Sequence, residues 1–433
     1  MKIGSKSTTG WRATISVAMS NYIEAGSIIA IATSLGFWQA ELGFDDLTAG
    51  LLAAFSANAF GAAIGAILGG PLSDRYGRKF IYTYDLVVFM VGVLIAAFAV
   101  NVPMLFLGFV LTGIAVGAGV PASWTYIAEQ APSRDRAKHV GTAQLAWSFG
   151  PFVGFALAAL LAPLELFGSR LIFLHLFIVA AIVWWIRQGL PESKAWTDQR
   201  DARTAGIKTA HHGGLRGLFS KRVNIKALLF LFGVYGFWGI VAGQAGIFMP
   251  RVYAAAGVES VVEQDLLQVL VWGCTVIGTY FGFMLLADRM SRRVLYVLGA
   301  LLGIGGWLAL VFAPPGTGTL ITFAVAWGIS CGVGAQAFYG LWTSELFATP
   351  YRASAQGVLF FAARLAIGFL SYFFPVLLTS AGVANVGLIM IALLTVALLV
   401  GAIWTPNTRG KSLEEIERER YGASDAPAEA ARR

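Results

Sequence analysis

Arg364 stands near the middle of VLFFAARLAIGFLSYFFPVLL (358–378), and Glu24 lies inside SNYIEAGSIIA (20–30); each is the one charged side chain of its apolar run. At the centre of a bilayer such a residue costs at least about 2.5–3.5 kcal/mol, so by default it faces the protein interior and works. Arg364 keeps its proton under biological conditions. Three tasks are open to it: holding an anion, donating to several hydroxyls, or pairing with a carboxylate. Glu24 can change charge where a guanidinium cannot, and is the candidate proton carrier. Other polar residues complete a candidate binding site: Asn21, which shares a face with Glu24; Gln144, with Ser148 one turn on; Gln244; and Gln336 with Tyr339 at i,i+3. For each, the plainer reading is a hydrogen bond between helices, worth about 0.6 kcal/mol in membranes. Trp124, Trp147, Trp238 and Trp342 are candidates for stacking on a ring, against 31 phenylalanines and 13 tryptophans that mostly mean packing and interface belts.

The elements that position these residues are apolar helices. The 433-residue chain is 57% hydrophobic and 12% charged, with a mean hydropathy of +0.72. Runs of about 20 residues, enough to cross a bilayer, recur at 13–37, 47–70, 80–100, 103–128, 138–162, 170–187, 226–250, 265–287, 294–313, 320–345, 354–378 and 384–404. The expected fold is an all-α membrane protein of twelve transmembrane helices. The first run is too long for a signal peptide and lacks a cleavage site, so it reads as retained. Of the 31 Lys and Arg residues, only Arg170 and Arg251 fall in loops on the side opposite the N-terminus. The positive-inside rule then puts both termini in the cytoplasm of a multi-pass protein, expected in the cell inner membrane. The net charge of +8 is this topological signal and points to no nucleic acid. Cys274 and Cys331 fall inside spans and read as small apolar residues.

Three landmarks recur at half the chain length. SDRYGRK (73–79) holds Asp74, Arg75 and Arg78, and ADRMSRR (287–293) holds Asp288 and Arg289. Glu129, Arg136 and Gly141 have the E-x6-R-x4-G spacing of Glu345, Arg352 and Gly357, and LPES is answered by TPNT. Two pseudo-symmetric six-helix bundles follow: 1–187 and 226–404, joined by a cytoplasmic linker at 188–225 and followed by a cytoplasmic tail at 405–433. Parallel repeats of this kind belong to alternating-access carriers with a midplane site between the halves. The paired charges then form a cytoplasmic gate, individually weak because half-solvated. Asp85, six residues past Lys79, is expected in the same network. His175 reads as a packed neutral histidine, and Gly61, Gly65 and Gly69 as a small-xxx-small packing face.

GGPLSDRYGRKF (69–80) resembles the signature loop of the major facilitator superfamily. LPESKAW (190–196), PNTRGKSLEEIE (406–417) and YIAEQAPSRDRA (126–137) resemble segments of its sugar porter branch. YIEAGSIIAIATSLGFWQ, IYTYDLVVF and VPASWTYIAEQAP are most similar to bacterial permeases of the inositol and polyol type. The resemblance implies the major facilitator fold, and gate pairs Glu129–Arg352 and Glu345–Arg136. It also implies a sugar-contacting role for Gln144. Two positions depart from the branch: Phe109 stands where an arginine usually faces the acidic residue of span 1, and Phe237 and Trp238 replace a glutamine pair, with Gln244 as a substitute. Arg364, at a position where many sugar porters stack a tryptophan, and GAQA (334–337) resemble the aromatic acid and proton symporter branch instead.

Other classes lack their residues. There is no G-x4-G-K-[ST] loop for a nucleotide-driven pump, and four scattered histidines with two apolar cysteines make no metal or nucleophile cluster. A channel does not need a two-fold repeat with one charge per half. FGPFVG (149–154) partly resembles the signature of drug/proton antiporters, but Phe155 replaces a glycine, and central charges suit polar cargo better. The expectation is a non-enzymatic, monomeric, proton-coupled importer of a small hydrophilic solute, a sugar or polyol such as inositol, needing no cofactor or metal. The alternative is a symporter of an organic or aromatic carboxylate.

Overall fold

The computed structural model describes residues 6–130, 136–189, 192, 196–197, 200–201, 214–348 and 352–422, and the side chains of 6–13, 74, 125 and 128–130 lie outside the description. Its elements are helices: α1 (Lys6–Leu42), α2 (Asp46–Ala54), α3 (Phe60–Tyr76), α4 (Arg78–Ala97), α5 (Val102–Gln130), α6 (Arg136–Leu161), α7 (Glu165–Arg187), α8 (Gly214–Ser220), α9 (Arg222–Leu231), α10 (Phe237–Ile247), α11 (Met249–Ala255), α12 (Val261–Ile277), α13 (Arg292–Phe312), α14 (Thr317–Val333), α15 (Ala335–Leu346), α16 (Arg352–Trp404) and α17 (Leu413–Tyr421). Among the described residues, nine helical stretches are long and apolar enough to cross a membrane. Two of them, Arg136–Arg187 and Arg352–Trp404, run to 52 and 53 residues, about 80 Å if straight, and a bilayer core is about 30 Å thick. Each is two passes: the first turns at 162–164, the second at Gly382, whose φ of 77° breaks the helix. With the α2–α3 pair the passes number twelve.

Corresponding helices of the two halves make corresponding contacts. In the first half α1 packs on α6, α3 and α4 on α5, and α4 on α7; in the second α10 packs on α16, α12 and α13 on α14, and α13 on α16. Between the halves α6 meets α12, and α2 and α3 meet α16. In lipid, with no hydrophobic force to join helices, close backbone approach does the joining. A Cβ at Gly65 would fall 2.0 Å from the Ile114 carbonyl oxygen, so α3 and α5 touch backbone to backbone. The same holds between halves: a Cβ at Gly50 would fall 2.3 Å from Tyr372 O, and one at Gly357 2.6 Å from Ala66 O.

The helices differ from the sequence expectation at four places that matter. The span expected to be continuous over 47–70 is broken at 55–59. There the Ser56 hydroxyl donates to Ala53 O (2.7 Å) and accepts the Asn58 N–H (3.1 Å), so a side chain replaces the helical ladder. The tenth span is interrupted at Gly334, between α14 and α15. The seventh and eighth contain π-helical segments at Phe232–Gly236 and Gly278–Met284, a form common at functional sites.

Candidate functional site

The break in the second span leaves backbone carbonyls at membrane depth, where every polar group needs a partner. Arg364 supplies it. Its Nη1 donates to Asn58 O at 2.8 Å and reaches Ala57 O at 3.5 Å, while Nη2 pairs with the Glu24 carboxylate. The guanidinium lies 4.4 Å from the centre of the Phe360 ring. Glu24 is fully buried and Arg364 is 3% exposed. One arginine of α16 therefore ties down α1 and the α2–α3 junction of the other half. The partner that Glu24 lacks at Phe109 comes from across the interface; Phe109 itself stacks on Phe173, centroids 6.1 Å apart.

Beside this pair is a cavity of about 390 Å³, counting space continuous with solvent. Its polar lining is Asn58, Trp147, Tyr235, Trp238, Trp272, Gln336 and Arg364, drawn from both halves. Several of these groups have a buried polar atom without a protein partner, namely Asn58 Oδ1, the indole N–H of Trp238 and Trp272, and Arg364 Nε, while the Trp147 indole faces the Glu24 carboxylate. Indole and guanidinium nitrogens donate, while carbonyl and carboxylate oxygens accept. The site is thus a ring-lined chamber offering both donors and acceptors.

Of the residues singled out from the sequence, Arg364, Gln336, Trp147 and Trp238 line the cavity and Glu24 stands behind Arg364. Gln244 sits one layer back: it accepts from the Ser371 hydroxyl (3.1 Å) and donates to Ile367 O (3.3 Å), while Asn58 donates to Ser371 at 3.3 Å. Tyr339 stacks on Tyr235 at 4.0 Å, and its hydroxyl donates to Gln356 O. Asn21 donates to the Ser123 hydroxyl at 3.1 Å, away from the cavity lining. Gln144 is buried off the lining, with neither amide atom partnered. Trp124 packs against Gly340, and Trp342 in a cluster with Phe230, Phe338 and Tyr296. Asn58, Tyr235 and Trp272 were not foreseen; Asn58, polar beside a serine in an apolar run, carried the one usable signal.

At the end of the bundle that carries Glu345, this carboxylate takes Arg136 of the other half at 3.1 Å and Arg292 at 2.8 Å. Arg292 also reaches Asp288 (3.3 Å) and the Thr408 hydroxyl (2.8 Å). Burial pushes the Asp288 carboxyl above its ordinary value, with Arg292 opposing. Arg289 is exposed and offers only its backbone, to Arg409. Arg292 holds the place expected for Arg289, and the repeat contains the reason, since Arg292 matches Arg78 in SDRYGRK. Arg78 donates through Nη1 to Ser73 O, and Glu192 accepts the N–H groups of Arg78 and Lys79 at 3.0 Å each, capping α4. Arg75 lies over Tyr76, and Arg352 donates to Phe347 O at 3.2 Å. The Asp74 and Glu129 side chains, and with them the expected Glu129–Arg352 pair, lie outside the described residues. At the opposite end Arg251 of α11 pairs with Asp46 at 3.1 Å and donates to Gln39 Oε1 at 2.7 Å, again across the halves.

The comparisons with known proteins agree with this architecture. The chain is 40% identical over 417 residues to the minor myo-inositol transporter IolF of Bacillus subtilis, covering 95% of this chain and 94% of that one. It is 25% identical over 356 residues to the cis,cis-muconate transport protein of Acinetobacter baylyi, covering 79% and 81%. The solved structure of the major facilitator superfamily proton:xylose symporter XylE shares the fold, with a TM-score of 0.76 at 22% identity over 95% of this chain and 99% of that chain. The family described as "Sugar (and other) transporter" matches residues 13–419. The chain is a multi-pass membrane transporter with the major facilitator fold, and it belongs to that family.

Proposed function

We propose that this transporter moves a neutral polyhydroxylated solute, a polyol such as inositol, inward together with a proton by alternating access. The central ion pair carries the reading. Because Glu24 already balances Arg364, the cavity presents a neutral lining of amide, indole and guanidinium groups, which suits hydroxyls that both donate and accept. The 40% identity to a myo-inositol transporter points the same way. A proton on Glu24 removes the carboxylate from a cross-half pair and leaves Arg364 held by the carbonyls of 57 and 58. Protonation thereby weakens the contact between halves and adjusts the donors seen by the cargo. The end carrying Glu345 faces the cytoplasm in this reading, with both termini, and the protein works as a monomer in the cell inner membrane.

A second reading, a carboxylate/proton symporter, draws on the same pair, since protonated Glu24 would free Arg364 to clamp an anion. The test is uptake of radiolabelled myo-inositol, glucose and 4-hydroxybenzoate into proteoliposomes with an imposed inward proton gradient, for wild type, Glu24→Gln and Arg364→Ala. Inositol uptake that follows the gradient and is lost in Arg364→Ala supports the polyol reading. Uptake of the acid alone supports the anion clamp, and uptake indifferent to the gradient removes Glu24 from the coupling.

A further inference from the structure

A second buried carboxylate lies outside the central cavity. Asp85 is in the second turn of α4, 8% exposed, and faces a separate cavity of about 210 Å³, counting space continuous with solvent, between α1, α4 and α5. Ser20, Ile23, Phe89, Val116 and Gly119 share that lining. One carboxylate oxygen accepts the N–H of Leu86 at 2.6 Å. Among the described residues no cation forms an ion pair with Asp85. The guanidinium whose charge acts on it, Arg187 at the end of α7, is 2% exposed and makes its hydrogen bonds to α1 instead. It donates to Ser16 O (3.0 Å), Val17 O (3.1 Å) and the Ser20 hydroxyl (2.8 Å), and lies 5.1 Å from the Tyr82 ring centre. Its Nη1 is buried with no acceptor. A carboxylate without a cation and a guanidinium with an idle donor thus sit side by side at membrane depth, where full pairing is the rule.

Ser20 connects this site to the centre. It lines the Asp85 cavity, receives a hydrogen bond from Arg187, and precedes Glu24 by one turn of α1, about 6 Å along the axis. Glu24, Ser20, Asp85 and Arg187 therefore form a polar column inside the first half, apart from the cargo cavity. We infer that Asp85 is a second proton-binding site, which receives the proton from Glu24 and passes it toward the Arg187 end of the bundle. In the step, the Glu24 O–H bond breaks and an Asp85 O–H bond forms, with Ser20 as relay and the negative charge moving from Asp85 to Glu24. Arg187 then favours the return of Asp85 to the carboxylate, the proton leaving to water. Around Asp85 and its neighbour Tyr82 the charged or titratable groups are Arg187 from α7, Tyr126 from α5, Tyr82 and Arg78 from α4 itself, and Glu192 at the start of α4. From α3 there are Arg75 and Tyr76 at its far end, and from α1 Glu24 with the hydroxyls of Ser16 and Ser20.

The inference rests on the proton-coupled reading for its transport consequence, and on Asp85 alone for its titration. In proteoliposomes, Asp85→Asn is expected to lower gradient-driven myo-inositol accumulation about tenfold or more while equilibrium exchange stays within about twofold. Asp85→Glu is expected to restore accumulation with a shifted pH profile. Infrared pH titration of the membrane-embedded protein is expected to show a protonated carboxyl band that persists in Glu24→Gln and disappears in Asp85→Asn. Wild-type accumulation in Asp85→Asn overturns the proposal, as does equal loss of exchange and accumulation. If Asp85→Asn fails to assemble, the titration of Glu24→Gln decides: a titrating band supports the site and its absence removes it. Should accumulation prove indifferent to the gradient in every variant, the coupled reading fails while the infrared result still judges Asp85.

Discussion

The halves are joined by carboxylate–guanidinium contacts at three depths, and the two extremes differ in kind. Glu24 and Arg364 have side chains 0% and 4% exposed, whereas Asp46 and Arg251 are 48% and 27% exposed. The outer pair gains little, because water and salt screen it. The central pair is dear to leave half-made, because removing one partner strands a charge where water does not reach. Glu345 and Arg136, 0% and 3% exposed, resemble the central pair in burial, yet they lie at an end that can open to water. Of the three, the central pair is the one that solvent cannot break cheaply, so a proton on its carboxylate is the direct way to loosen it. On the proposed mechanism, control of the interface is concentrated at the midplane, and the end pairs act as latches of graded strength.

Glu24→Ala should destabilise the folded protein by about 3–5 kcal/mol, read as a lower midpoint in thermal unfolding in detergent; Glu24→Gln should lose less, since its amide still accepts from Arg364. Glu345→Gln should come next. It removes the carboxylate that Arg136 and Arg292 share and leaves Arg292 with Asp288 alone, but opening of that end relieves them. The expected outcome is a shift of at least about tenfold toward the state open at the Glu345 end, measured by thiol labelling of a cysteine placed beside Arg136. A labelling rate equal to that of the parent would show that the latch does not hold this end. Arg251→Ala should cost at most about 1 kcal/mol, and the difference from wild type should vanish in high salt.

The smallest effect sharpens the contrast through pH. Asp288, near the Glu345 end, has its carboxyl raised by burial, with Arg292 opposing, while Asp45, beside the outer pair, is held below its ordinary value by the hydrogen bonds from Thr48. A raised carboxyl means the folded state holds the proton more tightly, so its stabilising contribution is present below the unfolded value and lost as pH rises through the folded one. For Asp45 the contribution is present above the unfolded value and lost as pH falls through the folded one. Stability–pH curves of Asp288→Asn and Asp45→Asn should therefore depart from wild type with opposite slopes on the acid side of neutrality; parallel slopes would contradict the assignment.

The sequence marks the isolated charges well, because apolar neighbours make Glu24 and Arg364 conspicuous. Their partnership is hidden, since they lie 340 residues apart and Arg364 had three chemically reasonable tasks. The helix break at 55–59 escapes because FSANA contains no proline or glycine; the local competition of Ser56 and Asn58 for backbone groups is decided by Arg364 arriving from another helix. Arg292 was legible through the repeat, at the place where Arg78 stands in the first copy. Trp272 and Tyr235 were not, for aromatic side chains are too common here for any one to signal a site. Asp85 stands close enough to a basic loop to read as part of it, and only the packing of α1 and α5 against α4 reveals a separate chamber.

The backbone contacts of α2 and α3 with α16 have a mechanical meaning. Where Gly50 meets Tyr372 and Gly357 meets Ala66, backbone bears on backbone with no side chain between. Such smooth points behave as a bearing, on which one half can roll without a side chain leaving a socket, whereas Phe60, seated against Gly368 of α16, is a tooth that rocking has to lift. A single methyl group at Gly50 or Gly357 would put a tooth on that bearing, slowing exchange between states while leaving the cargo chamber untouched.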